Sequence, residues 1–300
     1  MTAPVATGGR SGRDPEPGRS RLEPITHLRG QPAPDALIKV LAGAGGLVAG
    51  ANIVMQLANL KVGHGVAESR VERGALFAHP IKRSRTTFGY VGIALWGTDE
   101  EREVLSEAVT RVHRQVRNLP GEAVRYSALD PKLQLWVAAC IYRGMEDAHR
   151  LLHGEPTPEV VAAIYPHAAR LATTLQVPPE MWPPDREAFE AYWQAEVAGI
   201  EMDEVTRSYL WDFTGLAFLP PPIPQLLGRF HRIVVAGALP PPFRDELGLP
   251  WGPLEQRVWD ANLKVARTVH RVVPQPLLEA PIRLYLWDMR RRIRNRRNIV

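Results

Sequence analysis

The residues best suited to chemistry lie in two short stretches. In "EAVTRVHRQV", His113 falls four residues after Val109 and three before Val116, so it shares the inward stripe of a helix that also carries Leu105 and Val112. In "HPIKRSRTTFGYVGIALWG", Arg83 and Arg85 precede Thr86 and Thr87, and an almost wholly apolar run follows. An imidazole held against apolar neighbours is how proteins present an axial ligand to haem iron. The two propionates of a haem need cationic and hydroxyl partners, and Arg83, Arg85, Thr86 and Thr87 offer both. Each stretch also has a plainer reading: a hydrogen-bonded core histidine, and a solvated basic helix face.

A rival arrangement lies in "EDAHRLLH". Glu146 and His149 have the Glu-x-x-His spacing of carboxylate-bridged metal helices, and His153 follows one turn later. Such a carboxylate/histidine metal protein needs a second Glu-x-x-His, and no other histidine has a glutamate three residues before it. A helix end with His149, Arg150 and His153 near its last carbonyls fits the pattern better. The chain has no G-x-S-x-G, no Walker loop, no H-E-x-x-H and no strand leading into G-x-G-x-x-G. Its single cysteine, Cys140 in "WVAACIY", rules out an intrachain disulfide and reads as core packing.

The elements that must position these residues are helical throughout. Helical periodicity predicts segments at 36–61, 84–96, 99–118, 130–153, 157–176, 185–206, 221–237, 251–272 and 277–296. "NLPGE", "HGEPTP", "VPPEMWPPD", "LPPPIP" and "LPPPF" separate them. The clearest start is "TDEE" at Thr98, a capping box with three acidic residues in the first turn. Asp130 and Thr157 each precede a proline at the first helical position. The expectation is a single all-α domain over residues 36–300, with haem between core helices, preceded by a disordered arm, residues 1–35.

Composition agrees with a soluble core: 300 residues, 45% hydrophobic and 23% charged. The net charge of +5 is concentrated at the end, where six arginines fall between Arg290 and Arg297. No specific nucleic-acid partner is implied, but such a tail suits peripheral contact with an anionic membrane. The first 35 residues hold no apolar stretch of the export type, which points to a cytoplasmic location. Ala36 to Leu60 imitates a membrane span, with Gly46 and Gly50 at GxxxG spacing. Lys39, Asn52 and Gln56 interrupt it, and a buried, closely packed core helix is the preferred reading.

From about Gly43 to Leu254 the chain resembles the MpaB-type oxygenases, whose catalytic domain is shared with rubber oxygenase (latex-clearing protein). The resemblance is carried, in order, by "MQLANLKVGHGVAES", "HPIKRSRTTFGYVGIALWG", "VHRQVRNLPGE", "YSALDPKLQLWVAACIY", "LQVPPEMWPPDREAFEAYW" and "LPPPFRDELGLPW". It implies an all-α enzyme that binds haem b and uses dioxygen on an apolar small molecule, isoprenoid or lipid-like. It places His113 at the proximal iron ligand, with Arg83 and Thr87 as catalytic residues of the distal side. Tyr126 and Asp130 fall at structural positions. Two departures are informative. The latex-cleaving branch has a lysine three residues after the arginine, where this chain has Thr86. The pair Trp136-Val137 is commonly followed by histidine, where this chain has Ala138. Both argue against polyisoprene as the substrate. A haem-binding sensor or carrier without turnover is the alternative from a different functional class.

Overall fold

Side-chain caps and prolines set the helix boundaries. The computed structural model describes residues 37–38, 42, 45–69, 76–297 and 299, and the predicted arm at residues 1–35 lies outside them. The helices are α1 (Gly45–Leu57), α2 (Leu60–Ala67), α3 (Pro80–Trp96) and α4 (Asp99–His113), then α5 (Pro131–His153), α6 (Pro158–Ala168) and the short α7 (Arg170–Thr173). They continue with α8 (Arg186–Ala198), α9 (Glu204–Thr214), α10 (Ile223–Ala238), α11 (Pro241–Leu247), α12 (Pro253–Val272) and α13 (Gln275–Arg294). Among the described residues the extended pairing is one isolated bridge, Arg117 to Ser127, so the fold is all-α.

The expected caps form. The Thr98 hydroxyl accepts from the Glu101 amide at 3.2 Å, and the Glu101 carboxylate accepts from the Thr98 amide at 3.0 Å. Asp130 accepts from the Lys132 amide at 2.9 Å and so opens α5. Four predicted helices are interrupted or shortened, the 157–176 segment dividing at Ala169 into α6 and α7. The 36–61 segment breaks at Ala58 and Asn59, whose side chain caps α2. The 185–206 segment ends at Gly199, and Asp203 caps a new helix, α9, through the Thr206 amide at 3.0 Å. The 99–118 helix stops at His113, and residues 114–130 loop back beside it. A short helix, α11, occupies part of a stretch whose prolines signalled only a stop.

Over its described part the 36–60 segment is a core helix, as preferred, with Ala51, Val54, Met55 and Leu57 of α1 buried, and Lys39 lies outside the described residues. The polar residues of α1 tie it to α5. Asn52 donates to the Cys140 carbonyl of α5 at 2.5 Å, Gln56 donates to Asn52 at 2.7 Å, and the Trp136 indole donates to the Gln56 carbonyl at 3.0 Å. Gly144 faces Asn52 so closely that a side chain there would overlap it. Gly50 meets α10 in the same way, since a Cβ would lie 2.7 Å from Val235. No described helix is long and apolar enough to cross a membrane.

An aromatic block fills the space between α5, α6 and α8. Trp136 stacks on Trp193 at 5.3 Å, and Tyr142 meets Phe189 edge-on at 4.7 Å. A smaller cluster of Ile93, Leu105, Val109, Met289 and Ile299 joins α3, α4 and α13. At the rim of the aromatic block Glu146 is buried but fully engaged. Arg186 donates to its two oxygens at 2.6 and 3.0 Å, the Tyr142 hydroxyl donates at 2.7 Å, and Arg143 stands 3.4 Å away. A buried carboxylate stripped of its main partner is strongly destabilising. Arg186→Ala should therefore lower unfolding stability by about 3 kcal/mol in denaturant titrations; a loss within error of zero would contradict this packing.

Candidate functional site

Helix α3 has two working faces. Arg83, Thr86, Thr87 and Tyr90 share one, and Arg85, Phe88, Gly89 and Gly92 share the other. The second face packs on α13. Side chains at Gly89 and Gly92 would meet Met289 and Leu286, Phe88 stacks on Tyr285 at 5.3 Å, and Arg85 approaches Asp288 at 3.8 Å. The structure thus does not bring Arg85 to the side of Arg83, because two residues along a helix turn through about 200°. The first face is fixed by Tyr90, whose hydroxyl donates to the Leu171 carbonyl at 2.5 Å.

Arg83 is exposed, yet desolvation by surrounding protein lowers its pKa, with nearby Tyr209 acting in the opposite direction. Among the described residues Arg83 has no carboxylate partner. Tyr209 beside it belongs to a small aromatic cluster. Tyr209 on α9 packs on Phe77 at 4.9 Å, and Phe77 on Phe218 at 5.9 Å. Thr86 donates its hydroxyl to the Lys82 carbonyl at 2.9 Å, as threonines inside helices often do. The hydroxyl of Thr87 has no partner among the described residues.

His113 enters from the last turn of α4. Burial first, and the Arg83 charge second, hold its pKa down to about 4, while the backbone of Ala128 works against them. The imidazole is therefore neutral at pH 7. Its Nδ1 is shut off from solvent without a partner in hydrogen-bonding geometry. The loop after it is tied down by Ala128 donating to Val116 at 2.9 Å and by reciprocal contacts between Asn118 and Tyr126 at 3.1 Å. Tyr126 itself is buried against Gly65 of α2. His113 and Arg83 are thus brought together from different helices, with Thr86 and Thr87 on the Arg83 face. Sequence reasoning missed Tyr209, which no local spacing marks as a neighbour of Arg83.

The rival metal pair is not supported. Glu146 is saturated by Arg186 and Tyr142, and His149 bonds the Gly154 carbonyl at 3.1 Å. Among the described residues no group of three or more His, Cys, Asp or Glu is arranged to hold a metal ion. A separate cleft of about 270 Å³ between Asn59, Trp136, Glu196 and Ile200 contains none of the predicted site residues.

A second histidine shows the opposite electrostatics. His64 on α2 is buried, and its two ring nitrogens meet Glu68 at 2.9 Å and Asp203 at 2.5 Å. Burial pulls its pKa down, but the two carboxylates overcome this and leave it raised. This clamp holds α2 to the start of α9, the helix that carries Tyr209. A raised base contributes stability in full below its unfolded pKa and loses it as pH rises through the folded value. The stability margin of wild type over His64→Gln should be widest below pH 6.5, where His64 is charged and Asp203, held below its ordinary value by His64 and the Thr206 amide, still carries its charge, and should narrow as pH rises through the raised His64 value. A margin independent of pH in thermal melts would contradict the charged clamp.

The profile of the family described as "ER-bound oxygenase mpaB/B'/Rubber oxygenase, catalytic domain" matches residues 39–268. The uncharacterized protein Rv2237 of Mycobacterium tuberculosis is 44% identical over 254 residues, covering 85% of this chain and 100% of that protein. The uncharacterized protein Mb2261 of Mycobacterium bovis is similar to the same extent, 44% over 254 residues, with 85% and 100% coverage. No solved structure matches. With the helical architecture and more than two thirds of its length matched, the chain belongs to the family of the mpaB and rubber oxygenase catalytic domain.

Proposed function

We propose that this protein is a haem b-dependent oxygenase that uses dioxygen on an apolar small molecule, isoprenoid or lipid-like in character. The observation that carries the reading is the pairing of a neutral, desolvated His113 with a desolvated Arg83 that has no carboxylate partner. Both fit a haem. A ligating histidine must be neutral, and a cation without a carboxylate counter-charge suits a carboxylate of the cofactor or a developing negative charge. Haem, when bound, supplies a redox-active iron for chemistry with dioxygen.

The protein's own groups then have distinct tasks. His113 offers a lone pair kept free of protons by burial and by the Arg83 charge. Arg83 donates hydrogen bonds and stays charged, because even a lowered guanidinium pKa leaves it protonated at neutral pH. Thr87 provides a hydroxyl with no competing partner on the same helical face. Tyr209 stands beside Arg83 and packs on Phe77, so an aromatic cluster begins next to the charge, which suits an apolar substrate. Thr86 is held by Lys82 and is too short to act as the lysine found there in the latex-cleaving branch.

The test is dioxygen uptake by the haem-loaded protein over a panel of isoprenoids and unsaturated lipids. Arg83→Ala should keep its helicity and lose turnover by about a hundredfold or more, the usual cost of removing a charge-stabilising donor. Unchanged uptake would remove Arg83 from the chemistry. Haem binding with no substrate-dependent uptake would favour a sensor or carrier.

A further inference from the structure

Helix α13 carries an exposed stripe that the site does not use. Leu277, Ala280, Leu284, Trp287, Arg291 and Arg294 follow one another at spacings of three, four, three, four and three, so they lie along one line of the helix. All six are exposed, with Leu277, Leu284 and Trp287 at 64%, 61% and 51%. The opposite side of α13 is the one packed on α3, where Met289 is buried against Gly89. The stripe therefore runs from aliphatic to aromatic to cationic over about five turns. The Arg291 guanidinium lies over the Trp287 ring at 5.4 Å, so the two are one amphipathic unit.

The charges on this helix are sorted. Its acidic residues are neutralised locally: Glu279 by Arg283 at 2.6 Å, and Asp288 by Arg292 at 2.7 Å. Arg290 turns inward, donating to the Trp96 carbonyl at 2.7 Å and pairing with Glu101 at 3.2 Å. Of the six terminal arginines, Arg290 and Arg292 are thus engaged in the fold, while Arg291, Arg294, Arg296 and Arg297 remain exposed. The exposed face offers apolar side chains and positive charge together.

We propose that this stripe of α13 docks the protein on an anionic lipid bilayer. Leucine and tryptophan side chains enter the boundary between headgroups and acyl chains, and the arginines extend to lipid phosphates and carboxylates. Charge decides between a membrane and a second copy of the chain. A parallel pairing of two stripes would set Arg291 and Arg294 against their own copies, and an antiparallel one would bury them against Leu277 and Ala280. Neither is favourable, whereas a negatively charged surface satisfies both halves. The inference does not depend on the haem reading.

The experiment is flotation of the full chain with phosphatidylcholine vesicles, with and without a phosphatidylserine fraction. The protein should float with the anionic vesicles and stay behind with the neutral ones at the same ionic strength. Each arginine near the surface contributes about fivefold to partitioning, so Arg291→Ala with Arg294→Ala should weaken it by about thirtyfold. Leu284→Glu with Trp287→Glu should abolish it. All four positions are exposed, and unchanged far-ultraviolet dichroism checks that the variants fold. No flotation, or flotation that neither pair of substitutions alters, would overturn the proposal. A dimer in sedimentation that these same substitutions dissolve would overturn it in favour of a second copy.

Discussion

A guanidinium that cannot lose its proton stands close to an imidazole that can, and the described surroundings give neither a carboxylate. That pairing constrains the rest of the site. With Arg83 permanently charged, the least costly state of a buried His113 is the neutral one, and its pKa falls to about 4. The contrast with His64 is instructive, because the same side chain with two carboxylates is driven the other way. One histidine fastens two helices as a cation, and the other is kept as a free base. Burial acts on both, so the neighbouring charges decide.

The scaffold holds that pair at the meeting of α3 and the end of α4. Gly89 and Gly92 let α13 approach one face of α3, and Tyr90 pins the other to Leu171. Asn52, Gln56 and Trp136 stitch α1 to α5 with hydrogen bonds inside the core. Such buried polar contacts fix register in a way that apolar packing alone does not. The saturated Glu146 belongs to the same class: it is a structural anion beside the aromatic block, with no oxygen left for a metal.

Much of this was legible in sequence wherever the signal is local. The capping box at Thr98, the Asp130 cap and the proline starts depend on residues within one turn, and they appear as expected. The apolar spacing around His113 correctly marked an inward stripe, although the helix ends at that residue and not at 118. The opposite directions of Arg83 and Arg85 follow from helical geometry, yet which face meets α13 depends on glycines seen only in the packed fold. The break at Gly199 and the new start at Asp203 were hidden because the flanking apolar period runs on through both. Tertiary partners were out of reach: nothing near Glu146 announces Arg186, forty residues away, and nothing near Arg83 announces Tyr209.

The central claim is that His113 is built to hold an iron-bearing cofactor. The most direct measurement is a haemin titration of the purified chain followed by absorption, with His113→Gly examined in parallel with and without added imidazole. One haem per chain is expected for wild type, and a lost or altered spectrum for the variant. Free imidazole, filling the space left by the missing ring, should restore the wild-type spectrum. Equal haem binding with an unchanged spectrum in His113→Gly, without imidazole, would contradict that claim.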